Sequence, residues 1–387
     1  MRIPLCILAL AVSSWAAPID TPDQAPTPQT PPAADAAKPA DATPPAPPAK
    51  YGGWAFSALA DGYFNLNLDH PASNLNELQN FDTHWDQPEL SLAKVTIDKS
   101  DQMLGIHLDV GVGETMRLIH AGDEAAIDHK GLRYVEQMYV ILKPTHLHGT
   151  ELDFGQFVTS AGAEVIEANG NWNYSRSLLF ALAIPYYHFG VRSTIPVTKV
   201  WTVGAQVVNQ WNTVWGSHNN FTNVGLTSAL TLPKYTWSFN YYVGPNHSDG
   251  SPGKRNLGDT TILLTPNSKI NAYINADYGQ DNRALGGHDE WYGLAGAVHY
   301  QLTKAIAISP RAEFINDKTG FTTGTKQVLK EATITGEYKY NDHLLGRLEY
   351  RRDASDHPFF DRGAQLALAK AETTLTLGVI VSVGPYK

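Results

Sequence analysis

From Trp54 to Val383 the chain is a succession of stretches in which apolar and polar side chains alternate one for one, with hardly any helical period among them. Successive side chains of an extended backbone point to opposite faces, so each stretch carries one apolar and one polar face. A large sheet of this kind needs something to cover its apolar side, and the chain offers no set of amphipathic helices to do so. Closing the sheet into a cylinder, with the apolar face toward lipid and the polar face toward water, removes the difficulty.

The last stretch shows the pattern plainly. Leu375, Leu377, Val379, Val381 and Val383 share one face, opposite Glu372, Thr374, Thr376 and Ser382, and Ile380 is the one breach. The same alternation recurs in Ile270–Tyr278, in Tyr235–Tyr242 and in Leu104–Val110. Apart from the first residues, no run of about 20 apolar residues exists, which excludes a membrane protein built from α-helices.

Residues 1–16 combine a basic start at Arg2, an apolar run from Ile3 to Val12 and the small residues Ser14 and Ala16 where a signal peptidase reads. This predicts a secretory signal peptide removed on export. Cys6, the single cysteine, leaves with it, so the mature chain is expected to have no disulfide or thiol chemistry. Residues 17–50 hold eleven of the 24 prolines among Ala, Thr, Asp, Gln and Lys. Such a segment cannot bury enough apolar surface to offset its ordering entropy and is expected to be a disordered periplasmic linker. The barrel domain is then residues 51–387.

Sixteen strands can be drawn between residues 54 and 383, and their connections alternate short and long. Short ones fall near 98–102, 144–149, 196–199, 233–234, 266–268, 303–304 and 341–342, and long ones near 69–87, 114–131, 160–185, 210–220, 244–258, 280–289, 316–327 and 354–370. Bacterial outer-membrane barrels have short periplasmic turns and long external loops, and cylinders of this size enclose an aqueous channel. The fold class expected is therefore all-β, a transmembrane antiparallel barrel with both chain ends in the periplasm. Strands near Leu90, Tyr139 and Ile262 alternate poorly. Trp54, Tyr63, Trp201, Tyr235, Trp237, Tyr241, Tyr292, Tyr300, Tyr338, Tyr340 and Tyr350 cluster toward strand ends, as rings at the two lipid–water boundaries should.

The third long connection, 160–185, holds the apolar run Leu178–Ile184, which a loop in open water has no reason to carry. It is expected to fold into the lumen and narrow it. Glu164, Glu167, Arg176 and Arg192 are the residues expected at that constriction. Asp61, His107, Asp109, His188, Asp277, Arg311, Glu313, Glu337, Lys339, Arg347, Glu349 and Arg351 are expected to line the lumen. Glu164 and Glu167 opposite an arginine wall would set up a transverse field, while a pair of Arg176 with Glu167 would instead only hold the loop's shape. The net charge of −9 hints at a weak preference for cations.

Four stretches in this region resemble a known family: Gly155-Gln156-Phe157-Val158, Glu164-Val165-Ile166-Glu167, Asn171-Trp172-Asn173-Tyr174-Ser175-Arg176-Ser177 and Pro185-Tyr186-Tyr187-His188-Phe189-Gly190-Val191-Arg192. Together with Leu118-Ile119-His120-Ala121-Gly122-Asp123 they resemble the OmpL-like β-barrel porin family, also called porin-2. The resemblance is densest from about Leu90 to Leu230. It implies an outer-membrane channel for small hydrophilic solutes. Where relatives usually have Thr-Pro-Ile-Gly, this chain has Thr159-Ser160-Ala161-Gly162, which predicts a looser approach to the third loop.

Other chemistry is weaker. Of the fourteen histidines, His146 and His148 could share a face, and His120 lies near Asp123, but neither set has the ligands of a metal site. Ser175 and His188 raise a hydrolase as one alternative, although no Gly-x-Ser-x-Gly elbow is present. A barrel serving as anchor or adhesin without an open pore is the other alternative. The expectation is a non-enzymatic porin, with no cofactor and no nucleic-acid partner. Its partners would be outer-membrane lipids, small polar solutes or ions, and the outer-membrane barrel assembly machinery, with a trimer of identical barrels left open.

Overall fold

The computed structural model describes residues 53–101, 103–147, 149–215, 222–245, 252–284 and 286–384. The expected signal peptide at 1–16, the expected linker at 17–50 and His148 lie outside these residues. The strands are β1 (Trp54–Asn67), β2 (Pro88–Ser100), β3 (Leu104–Val112), β4 (Val135–Leu142), β5 (Glu151–Val158), β6 (Tyr187–Pro196), β7 (Trp201–Val208), β8 (Asn223–Leu232), β9 (Tyr235–Gly244), β10 (Arg255–Leu264), β11 (Ile270–Asn282), β12 (His288–Gln301), β13 (Ile306–Asp317), β14 (Gln327–Lys339), β15 (Leu344–Ser355), β16 (Phe360–Arg362), β17 (Gln365–Ala369) and β18 (Ala371–Val383). Short helices lie in the connections: α1 (Glu114–Ile119), α2 (Glu124–Asp128) and α3 (Leu178–Leu182).

Sixteen of these strands close one antiparallel barrel, in which each strand pairs with its chain neighbours and β18 pairs with both β15 and β1. Closure leaves no edge strand, the condition under which a sheet can face lipid without orphaned backbone groups. The remaining two, β16 and β17, form a small hairpin in the last long connection.

The alternation read from the sequence is the alternation of exposure. On β18, Leu377, Val379, Val381 and Val383 are exposed while Glu372, Thr374 and Thr376 are buried, and Ile380 is buried among the polar positions. Two irregularities explain where the alternation is poor. A register shift against β1 at Asp61/Gly62 puts an extra residue into β2, so Leu90 faces out and Leu92 faces in although both are even-numbered. A second shift, at Asp109/Val110, leaves both Glu136 and Gln137 of β4 buried. The β11–β12 connection, 283–287, is as short as the turns on the other side.

Of the rings expected at the boundaries, Trp201, Tyr235, Trp237, Tyr300, Tyr338, Tyr340 and Tyr350 are exposed. Tyr63 is a correction: it is 4 % exposed and on the same face as Asp61, two residues away. Its hydroxyl accepts from the His84 amide at 3.0 Å, and its ring packs 6.0 Å from that of Tyr174.

Candidate functional site

The third long connection, 159–186, is built into the buried faces of the strands. Its backbone has little secondary structure, so its N–H and C=O groups need partners, and the wall supplies them as charged side chains. Glu349 of β15 accepts from the amides of Tyr174 and Ser175 at 2.7 and 3.0 Å. Glu313 of β13 accepts from Leu178 and Leu179 at 2.6 and 3.2 Å, which holds the start of α3. Three arginines donate the other way: Arg311 to Ser175 O at 2.7 Å, Arg347 to Ala168 O at 2.7 Å and Asn173 O at 3.0 Å, and Arg351 to Arg176 O at 2.7 Å. Asn173 reaches Ser309 O and Thr335, and the Tyr174 hydroxyl donates to Asp61 at 3.1 Å.

Side-chain packing fixes the same segment. Trp172 stacks between Tyr273 and His299, with centroids 5.3 and 5.7 Å away. Tyr174 lies on Gly378, where a Cβ would come within 2.2 Å of the ring. Ser177 caps α3 by accepting from the Phe180 amide at 3.1 Å. The segment's start is tied rather than loose: the Ser160 hydroxyl lies 2.9 Å from Asn240 Oδ1 and 2.7 Å from the Tyr242 hydroxyl, and Asn240 donates to Ser160 O at 3.0 Å.

Glu164 pairs with Arg311 at 2.8 Å and accepts from the Ser177 amide at 2.6 Å, so its charge is spent on the wall and on the loop itself. Arg176 does not meet Glu167. It is 2 % exposed and donates to the carbonyls of Val165, Ile166 and Tyr174, with its guanidinium 5.2 Å from the Phe81 ring centroid. Arg192 stands apart from both glutamates, bonded to Asp153 at 2.7 Å and stacked on Phe157 at 4.5 Å. Asp61, Asp109, His188, Asp277, Arg311, Glu313, Arg347, Glu349 and Arg351 are buried on the inner face; His107, Glu337 and Lys339 share that face but are more open.

Glu167 belongs to a cluster that alternation did not reveal. Lys94 of β2 is 4 % exposed, and its ammonium bonds to Asp109 at 2.9 Å, to Glu136 at 3.2 Å and to Glu167. The three carboxylates lie within 4.8 Å of one another, the spacing of a cation site, and the lysine ammonium binds all three. His107 extends the cluster, with one ring nitrogen 2.6 Å from Asp98 and the other 3.2 Å from Asp109. Burial alone would raise the Glu167 carboxyl, but the Lys94 ammonium outweighs it and holds the group below its ordinary range. Lys94 and Glu136 are not visible in the sequence pattern because the two bulges displace them from phase.

A second element is equally hidden in the sequence. The first connection, 68–87, places Phe81 at 2 % exposure, 6.1 Å from Phe180 and 6.0 Å from Tyr186. Phe81 takes φ 75°, a left-handed conformation costly for a bulky residue, which this packing holds. Beside it, burial pushes the Asp82 carboxyl up to about 7 against the lowering pull of Arg351, and neither of its oxygens has a hydrogen-bond partner. His120 and Asp123 knit the second connection to the barrel: both reach the Tyr187 hydroxyl, at 3.1 and 2.6 Å. Of the hydrolase pair, the Ser175 hydroxyl accepts from Arg311 at 3.1 Å while His188 stacks on Tyr242 with centroids 5.1 Å apart.

A model of the family described as "Putative beta-barrel porin-2, OmpL-like" matches residues 53–383. No curated protein matches the sequence. Among solved structures, the fold is similar to an anion-selective porin from Comamonas acidovorans, at 8% identity and TM-score 0.58, covering 85% of this chain and 99% of that one. It is also similar to the outer membrane channel DcaP of Acinetobacter baumannii, at 10% identity and TM-score 0.57, covering 87% and 100%. A third is OmpT of Vibrio cholerae in a trimer form, at 12% identity and TM-score 0.55, covering 85% and 99%. At these identities the likeness is one of fold.

Proposed function

From the premise that the chain belongs to the beta-barrel porin-2, OmpL-like family, we propose that it is an outer-membrane porin giving passive diffusion of small hydrophilic solutes and ions. One observation carries the reading: a closed wall of sixteen strands presents apolar side chains outward and charged ones inward. Nothing in such a wall needs an energy source or a reaction. Solutes cross down their own gradients, sorted by size and charge.

The third connection lies across the lumen and sets its narrowest point. Its hydrogen bonds reach β1, β2, β7, β9 and every strand from β11 to β15. The passage is placed between this loop and the arc from β3 to β6. Of the residues there, Glu167 and His107 are partly open to solvent, while Lys94, Asp109, Glu136, Arg192, Asp153 and His188 are buried. Arg311, Arg347, Arg351, Glu313 and Glu349 act mainly as anchors for the loop. Selectivity rests on Glu167, the carboxylate of the cluster that solvent reaches, and so favours cations.

The first 16 residues are a signal peptide and 17–50 a periplasmic tether; a mature N-terminal mass beginning at Ala17 would support this. A trimer is the assembly we favour, since one similar structure is trimeric. Planar-bilayer recording tests the channel. Stable open steps, with liposome swelling that slows as solute size rises, are expected, and an electrically silent folded barrel would refute the channel in favour of an anchor.

A further inference from the structure

The outer face of β15 runs Leu348, Tyr350, Arg352 toward the long-loop end. A ring at Tyr350 marks the lipid–water boundary, and an arginine one step beyond it stands at headgroup level. A charge on the lipid face is steeply unfavourable at mid-membrane and mild only near the headgroups, so its placement asks for a polar or anionic neighbour there. The protein gives Arg352 only the Thr373 hydroxyl, at 2.7 Å; among the described residues no carboxylate pairs with it.

Beside Arg352 lies a cavity of about 460 Å³ between the end of β1, the outer ends of β15 and β18, and the β16–β17 hairpin. Arg352, Arg362 and Lys370 line it together with Leu68, Leu368 and Thr373. Lys370 donates to the Asp356 carbonyl at 2.8 Å and pairs with no carboxylate among the described residues. Arg362 meets Asp69 at 3.0 Å, yet its side chain is 68 % exposed. Three cations thus face one carboxylate. The apolar residues at the rim are equally open: Leu68 is 51 %, Leu366 70 % and Leu368 60 % exposed. Cations and bare aliphatic side chains occupy one spot on the lipid-facing rim, a combination that neither water nor lipid tails alone would satisfy.

We propose that this cavity binds the phosphorylated headgroup of an anionic, acyl-bearing lipid of the outer leaflet. Arg352, Arg362 and Lys370 take the phosphate oxygens, and the acyl chains lie against Leu68, Leu366 and Leu368. The volume, roughly fifteen waters at about 30 Å³ each, admits a headgroup larger than a lone phosphate. Two guanidinium groups supply the fork geometry that phosphate oxygens accept best. The inference rests on the reading that the barrel spans the outer membrane with its long connections outside.

The test uses the full mature chain in non-ionic detergent, titrated with bisphosphorylated hexa-acyl glycolipid, with phosphatidylcholine and with inorganic phosphate, read by native mass spectrometry. The wild type should prefer the glycolipid to phosphatidylcholine. Each cation near a membrane surface contributes about 5-fold in affinity, so R352Q/K370Q should bind about 25-fold more weakly. R352K should retain most of the binding, which separates charge from packing. Equal binding of phosphatidylcholine, a double variant within 2-fold of wild type, or inorganic phosphate competing at the glycolipid's own affinity would each overturn the proposal. Bilayer recordings on the same samples keep the two readings apart: a silent barrel that still selects the glycolipid refutes only the channel, and a conducting barrel without lipid preference refutes only this site.

Discussion

Lys94→Gln removes the ammonium from a group of three carboxylates, two of them buried, whose oxygens lie within 4.8 Å of one another. At an effective dielectric of about 20, two unit charges at that distance repel by about 3.5 kcal/mol. Stripping one partner from a buried ion pair costs about 3–5 kcal/mol. The barrel, held by sixteen paired strands, should survive this. The relief comes at Glu167, the one partner on a loop, whose side chain is 23 % exposed and free to swing away from the wall. Local charge falls by one unit in either case. For an ion passing roughly 8 Å away, that unit is worth about 0.2–0.5 kcal/mol between screened and unscreened limits. Acting with opposite sign on the two ions, it should raise the cation-to-anion permeability ratio by about 2- to 5-fold. Reversal potentials in a tenfold salt gradient read this directly. K94Q/E167Q restores the net charge and should return the ratio toward wild type. A K94Q barrel that is folded, shown by retained heat-modifiable mobility, yet has an unchanged reversal potential would refute the placement of this cluster on the ion path.

Asp82 gives a pH dependence. Its carboxyl is raised from the usual range near 3.8 to about 7, so its contribution to docking of the first connection is fully present below about pH 4 and is lost as pH rises through about 7. A rise of that size corresponds to about 4 kcal/mol; protease cleavage within 68–87 should increase between pH 6 and pH 8.5 in the wild type but not in D82N. Gly378→Ala places a methyl within 2.2 Å of the Tyr174 ring, and should displace that ring and change single-channel conductance while the barrel still folds. Gly155 has φ 142°, and a Cβ there would meet the Met138 carbonyl oxygen at 2.1 Å; Gly155→Ala should lower the yield of folded barrel, seen as loss of heat-modifiable mobility. E349Q weakens two amide contacts of 2.7 and 3.0 Å, and should make residues 164–176 accessible to protease; continued protection would remove Glu349 as an anchor.

The period of two was enough to give the wall, because lipid on one side and polar interior on the other leave an outward position little choice of side chain. It fails wherever one residue is inserted. The bulge at Asp61/Gly62 hides Lys94, and that at Asp109/Val110 hides Glu136. Tyr63 was assigned to lipid by its chemistry, although Asp61 two residues away fixes its direction inward. The unusual composition of 160–185 marked that segment as special, but composition carries no partner: Glu164 meets Arg311 and Glu167 meets Lys94, which lie far apart in the chain. The first connection gave no signal, since Phe81 stands with Leu75, Leu78 and Trp85 in no regular period among mostly polar residues.

The anchoring of the third connection makes the wall from β13 to β15 intolerant of single changes. Arg311, Glu313, Arg347, Glu349 and Arg351 are each bound to main-chain groups of the loop, so a substitution at any of them is expected to shift the loop and change the charge around it together. A lineage of these barrels would therefore have to change such a residue together with its loop partner, which slows the drift of this part of the wall.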